Sequence, residues 1–398
     1  MTYGPNPMRT TLSILFTGAT LALAAQNSAV VNAYNYMKDG DLAKAAEYIE
    51  PAISHEATMG KEKTWRYRGD IYRLIVVGQD ANLKAQFPDA LKRGIDSYLK
   101  AIELDTKGDY KRDNLTALTA LQGEALNAGN DAFGAKNYDQ AILMYGESER
   151  VSKAFGQVDS NAVFNSALAY ETKGDAAMAV QRYQECITMG YNKPDVYRYL
   201  ASLQKKQGDL NGAISTTQAG RKAHPNDKEL MLDEVAFLLE AGRSEEAEVS
   251  TKAAIEKDPN NAVLYSVLGS LYDAKANPTD GKTLPEAEMM KWYDLAEQAY
   301  KSSIEKDPAF FDSYFNIGVL YNNRAAYIYD KIASIQDDKK YTEAKKGADD
   351  IYLKAVPYFE KAHELRPDDK PTMQQLKKLY AKTGDTEKYN AMKKLLGE

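Results

Sequence analysis

The residues able to do chemistry are few and scattered. The chain has three histidines, His55, His224 and His363, and a single cysteine, Cys186. An imidazole that holds a metal or moves a proton needs a second histidine, a carboxylate or a nucleophile at a defined spacing. None of the three has one: His55-Glu56 lacks a histidine three residues on, and no Gly-rich phosphate loop, serine elbow or Cys–His pair occurs. Each histidine falls instead near the end of a helix-patterned run, where the helix dipole favours a cation. The pairs Asp337-Asp338, Asp349-Asp350 and Asp368-Asp369 carry the oxygens a hard cation wants, but helix starts and turns carry the same residues. No catalytic residue, metal or cofactor is expected.

Bulk properties narrow the partner. With 51 Lys plus Arg against 57 Asp plus Glu, the net charge is −6. Such a balance gives no general attraction to phosphate backbones, so nucleic acid is not the expected partner. One cysteine excludes an intrachain disulfide, and stability must come from packing.

The first 25 residues differ from the rest. After Met8 and Arg9, the stretch Thr11 to Ala25 is uncharged, apolar and small, and ends Ala22-Leu23-Ala24-Ala25. A short basic segment, an apolar run and a small-residue end are the marks of a cleaved export signal, and the run is too short to span a bilayer. The expected product is exported, as to a periplasm, with 26–398 as the mature chain and translation starting at Met1 or Met8. If residues 1–25 are not a leader, the chain is cytoplasmic.

Positions recur at a spacing of 34 residues. Tyr197, Leu200, Ala201, Ala213 and Pro225 mark one block and Met231, Val235, Leu238, Ala247, Ala254 and Pro259 the next in the same register, with Val163, Ala167, Tyr170, Ala179 and Tyr183 marking the block before them. A period of this length marks a stacked helix-turn-helix array. Small residues let helices approach, and aromatic ones fill what remains. Gly-Asp at 40–41, 174–175, 208–209 and 384–385 should end one helix in the left-handed conformation and cap the next. Asp258-Pro259 and Asp307-Pro308 should stop second helices. Cys186 occupies a small-residue position and reads as packing.

The pattern resembles the tetratricopeptide repeat. That resemblance implies an all-α, right-handed superhelical solenoid of about eight units near 26–59, 62–107, 122–155, 160–193, 194–227, 228–261, 262–309 and 311–368, closed by a cap over 370–398. Insertions are expected in three units: between Tyr72 and Gly94, as a loop from Asp273 to Pro285, and as a lengthened hairpin over 314–367 whose polar turn is 336–340 and whose kink falls at Pro357. In this family the concave face of the first helices usually binds a protein or peptide, in some members through a Lys, Asn, Asn, Lys, Arg set. This chain does not reproduce that set. Its corresponding positions make a mixed groove, basic at Arg66, Arg73, Arg198 and Lys205, apolar at Leu126, Phe133, Leu232, Ala236 and Leu239, with Asn165 beside it. The expected function is a non-enzymatic protein-binding scaffold acting through the groove, the long hairpin, or both; the alternative is an enzyme or small-ligand binder using the insertion loops.

Overall fold

The computed structural model describes residues 28–191, 193–278 and 284–398. The leader over 1–25, the first repeat's start at Gln26 and Gly281 of the Asp273–Pro285 connection lie outside the described residues. Among the described residues every regular element is helical, as expected for the all-α class. The chain divides into two compact units, one ending at Leu203 and one beginning at Gln204.

In the first unit, α1 (28–38) packs on α2 (Leu42–Ile49), and α3 (Glu62–Val77) on α5 (Ala90–Leu104). The connection between α3 and α5 is not all loop: it holds a short helix, α4 (Ala81–Gln86), capped by Asp80. Then α6 (Lys111–Gly134) packs on α7 (Tyr138–Ala154), α8 (Ser160–Lys173) on α9 (Ala176–Thr188), and α10 (Pro194–Lys206) begins. Helix α6 starts well before residue 122, where the repeat pattern places it, because its added turns bury Asn114 and Leu118.

The second unit continues with α11 (Leu210–Ala223), the pair α12 (Lys228–Glu240) and α13 (Ser244–Lys257), and the pair α14 (Ala262–Ala276) and α15 (Glu286–Lys306). Helix α16 (Phe311–Ile332) packs on both α17 (Asp338–Leu353) and α18 (Val356–Leu365). A last pair, α19 (Lys370–Thr383) and α20 (Thr386–Leu395), closes the chain.

Turn chemistry sets these boundaries. Gly40, Gly174, Gly208 and Gly384 take φ of 83°, 94°, 83° and 76°, a region closed to most side chains. The aspartate after each glycine accepts a backbone N–H of the next helix, from Lys44, Met178, Gly212 and Lys388. Helices α13 and α15 stop one residue before Asp258-Pro259 and Asp307-Pro308.

Small residues form the seams. Ala45, Ala101, Ala141, Ala179, Ala213, Ala247 and Ala296 are fully buried. In four pairs the first helix has glycine where the second brings a ring inward: Gly69 faces Tyr98, Gly129 Tyr145, Gly269 Tyr300 and Gly318 Phe359, and a Cβ on any of them would come within 2.5 to 2.8 Å of a ring atom; in the α8–α9 pair Tyr183 is matched by Ala167. Where Thr217 and Thr251 replace the ring, Ala201 and Val235 replace the glycine, so the volume moves from one helix to the other.

The long hairpin is held down rather than projecting freely. Its second arm breaks at Lys354-Ala355, and Pro357 lies in the first turn of α18, where its missing N–H costs nothing. Lys382 of α19 reaches Asp349 of α17 at 2.6 Å and also donates to the Tyr329 hydroxyl of α16, which itself donates to Asp349. Ile332 is buried, and Ile351 packs on the core cluster of this unit.

Candidate functional site

The residues with reactive side chains stay apart. His55 follows the short 3₁₀ turn Pro51–Ile53, His224 caps the end of α11, and His363 lies in the last turn of α18. Cys186 is fully buried, and burial pushes its thiol up to about 12. The acidic pairs serve local structure: Asp337 and Asp369 cap α17 and α19, and Asp349 takes the contacts of Tyr329 and Lys382. Among the described residues no group of three or more His, Cys, Asp or Glu side chains is placed to hold a metal ion. Among them, too, no helix is long and apolar enough to cross a membrane.

The basic residues expected to line a groove already have partners. In the first unit Arg66 pairs with Glu62 at 2.8 Å and lies over the rings of Tyr67 and Tyr110. Arg73 donates to the Tyr98 hydroxyl, which donates to Asp70, and Arg198 stands 3.9 Å from Asp195. Asn165 donates to Asn130, while Leu126 packs beside Tyr145 and Phe133 edge-on to Tyr138. In the second unit Lys205 pairs with Glu240 at 2.6 Å, Leu232 packs with Met231 and Leu264, and Ala236 and Leu239 are exposed. Surface pairs of this kind contribute little to stability; Arg66, Arg198 and Lys205 each stand beside a carboxylate, and Arg73 is linked to Asp70 through the Tyr98 hydroxyl.

Two concavities stand out. In the first unit, a cavity of about 470 Å³ lies where the α3–α5 connection meets α6 and α7, with Val76, Phe87, Leu91, Leu143 and Met144 on its walls. Its polar lining, Lys84, Lys92, Glu124 and Gln140 among them, includes no hydroxyl, thiol or imidazole side chain.

In the second unit, a groove of about 410 Å³ runs along the first helices of successive pairs. Helix α14 supplies its floor through Val263, Ser266, Val267, Ser270, Leu271 and Ala274, a spacing of three and four that keeps them on one face. Leu239 and Ser244 close one side, and Phe310, Asp312 and Asn316 the other. The trough exists because the α14 side chains are small or short between larger neighbours. Its volume falls in the range of ligand clefts, roughly 300–1,000 Å³.

Its electrostatics are simple. Asp312 is the charged residue in the lining, and Arg366 stands 3.6 Å from it with both side chains more than half exposed. Asp273, three residues after Ser270 and beside Ala274, is partly buried; its Oδ1 accepts from the Asn277 side chain at 2.8 Å. Burial pushes its carboxyl up to about 6, against the opposing effect of that hydrogen bond. From sequence, Leu239 is named as a groove residue and Val263, Ser266 and Ser270 are not. The signal was present, since these are the concave positions of the seventh unit in the 34-residue register.

No family model matches the chain. Human Protein O-mannosyl-transferase TMTC1 is 25% identical over 233 residues, which is 55% of this chain and 24% of that protein. The Protein CTR9 homolog of Arabidopsis thaliana is 28% identical over 120 residues, 29% of this chain and 11% of that protein. The chain thus spans a quarter or less of the length of these curated relatives. Among solved structures, MamA matches 52% of this chain and 92% of its own at 19% identity and a TM-score of 0.38. YrrB, described as a TPR protein with an unusual peptide-binding site, matches 55% of this chain and 96% of its own at 18% identity and a TM-score of 0.36.

Proposed function

We propose that this chain is a binding scaffold that holds a peptide or protein segment in the groove over α14. One observation carries the reading: an open trough whose floor joins apolar Val263, Val267 and Leu271 with the hydroxyls of Ser266 and Ser270, edged by Ser244 and Asn316. Apolar walls supply affinity, and a few hydroxyl and amide groups at the edge fix the orientation of a bound backbone. A scaffold needs only such a surface, whereas catalysis needs convergent acid, base or nucleophilic groups.

The long hairpin is the weaker candidate. Helix α17 buries only Ala348, but of its large apolar residues only Tyr341 is exposed, so it presents little apolar surface. Export is the companion proposal, supported by the composition of residues 1–25, and N-terminal sequencing of the mature protein tests it.

The groove is tested by filling it. Ala274 is exposed on α14, so Ala274→Trp should fold while occupying the trough. Recovery of partners from host extract should fall with the filled chain; equal recovery by a folded Ala274→Trp chain would rule the groove out.

A further inference from the structure

The cavity of the first unit is built in part by chain that the 34-residue period does not require. One wall comes from the α3–α5 pair and the connection inserted in it, through Val76, Lys84, Phe87 and Leu91; the other comes from the α6–α7 pair, through Glu124 and Leu143. Helix α4 of that connection buries no residue of its own, so stacking of the repeats does not account for it.

The charges of the lining divide between the two walls. Lys84, Asp89 and Lys92 belong to the first, Glu124 to the second. Asp89 accepts from Arg93 at 2.7 Å and Lys92 pairs with Asp96 at 2.6 Å, so these two are already balanced. The side chains of Lys84 and Glu124 have no ion pair or hydrogen bond among the described residues. The cleft thus offers an unpaired cation on one wall and an unpaired anion on the other, with apolar surface between them.

Its openness bears on the occupant. Leu143 is 48% exposed, and Lys84 and Gln140 are exposed as well, so a small molecule seated here would stay partly in water. A segment of a partner chain brings its own cover, with an apolar centre and a polar rim.

We infer that this cleft takes a short apolar segment of a partner protein, flanked at one end by an acidic residue that meets Lys84 and at the other by a basic residue that meets Glu124. Ion pairs at such an open rim fix orientation and choice of partner more than they add affinity. The inference does not rest on the α14 groove, which belongs to the other unit.

Selection of random dodecapeptides displayed on phage tests it, using the full chain with Ala274→Trp so that the α14 groove is filled. The same chain carrying Gln140→Trp, or Leu143→Ser, is run in parallel; both positions are exposed, so both variants should fold. The expected result is a set of peptides that are lost on Gln140→Trp and weakened on Leu143→Ser, with apolar residues between Asp or Glu on one side and Lys or Arg on the other. For one such synthetic peptide, fluorescence anisotropy should show binding weakened about two- to fivefold when its acid is replaced by Gln, and no such loss on a Lys84→Gln chain. Replacing its base by Gln should behave in the same way toward Glu124→Gln. Losses that are equal on the parent and the Gln chains, or peptides without the flanking charges, would overturn the charge pairing. Enrichment unchanged by both Gln140→Trp and Leu143→Ser would overturn the cleft as a binding site, and neither outcome touches the reading of the α14 groove.

Discussion

Gly129 of α6 lies under the ring of Tyr145 of α7 so closely that a Cβ on the glycine would sit 2.5 Å from Cε1. Two fully packed helices meet at this point, and the Tyr145 hydroxyl donates to Asn130, one residue on, at 3.0 Å. The same relation joins Gly69 to Tyr98, whose hydroxyl reaches Asp70, and Gly269 to Tyr300, whose hydroxyl contacts Ser270. The ring therefore does two things: it fills the seam and fixes a polar residue at the groove side of the first helix.

Gly129→Ala should destabilise the chain by roughly 1–3 kcal/mol, since the ring is 2% exposed and has no room to retreat. Tyr145→Leu in the same chain should recover part of that loss, because the clash disappears with the ring. Urea denaturation of the two single variants and the double variant gives the coupling.

Cys186 should behave as packing. At pH 8 its thiol, pushed up to about 12 and fully buried, should resist alkylation until denaturant is added. Cys186→Leu should cost roughly 1–3 kcal/mol by overpacking, and Cys186→Ala less. Rapid labelling of the native chain would contradict this.

Lys382 should hold the long hairpin. Lys382→Met removes the ammonium from Asp349 and Tyr329 and should speed amide exchange in α17 while changing global stability by no more than about 1 kcal/mol. The Lys382 and Tyr329 contacts keep the Asp349 carboxyl below its ordinary value of 3.8. Its contribution is therefore present above that value and is lost as pH falls through the lower folded-state value.

Asp273 has the opposite sign. Its folded-state carboxyl is raised from 3.8 to about 6, so the folded chain loses stability as pH rises through that window. Asp273→Asn should match the parent below pH 3.8 and exceed it at pH 7, by at most ~1–2 kcal/mol after allowance for solvent access. Thermal melts across that range check it.

Much of the fold was legible because repeat chemistry is local: Gly174-Asp175 and Gly208-Asp209 state where a helix ends and the next begins, whatever else surrounds them. Helix α4 was not legible, since Ala81 to Gln86 buries no residue and leaves no periodic stripe. The early start of α6 was hidden because Asn114 is a polar residue in a buried position. The groove was partly legible. The register gives the face of α14, but whether small side chains there leave a trough depends on Leu239 and Phe310 from neighbouring helices. The pairing of Arg66 with Glu62 was readable at a spacing of four, whereas Lys205 with Glu240 joins residues far apart in sequence.

The central claim is that partners contact the α14 groove and not the outer surface. A photo-crosslinking amino acid placed at Ala274, in the groove, and at Val249, 69% exposed on α13, compares the two in host cells. The account predicts peptide adducts mapped by mass spectrometry at position 274 and none at 249. Adducts at 249 with none at 274 would contradict it.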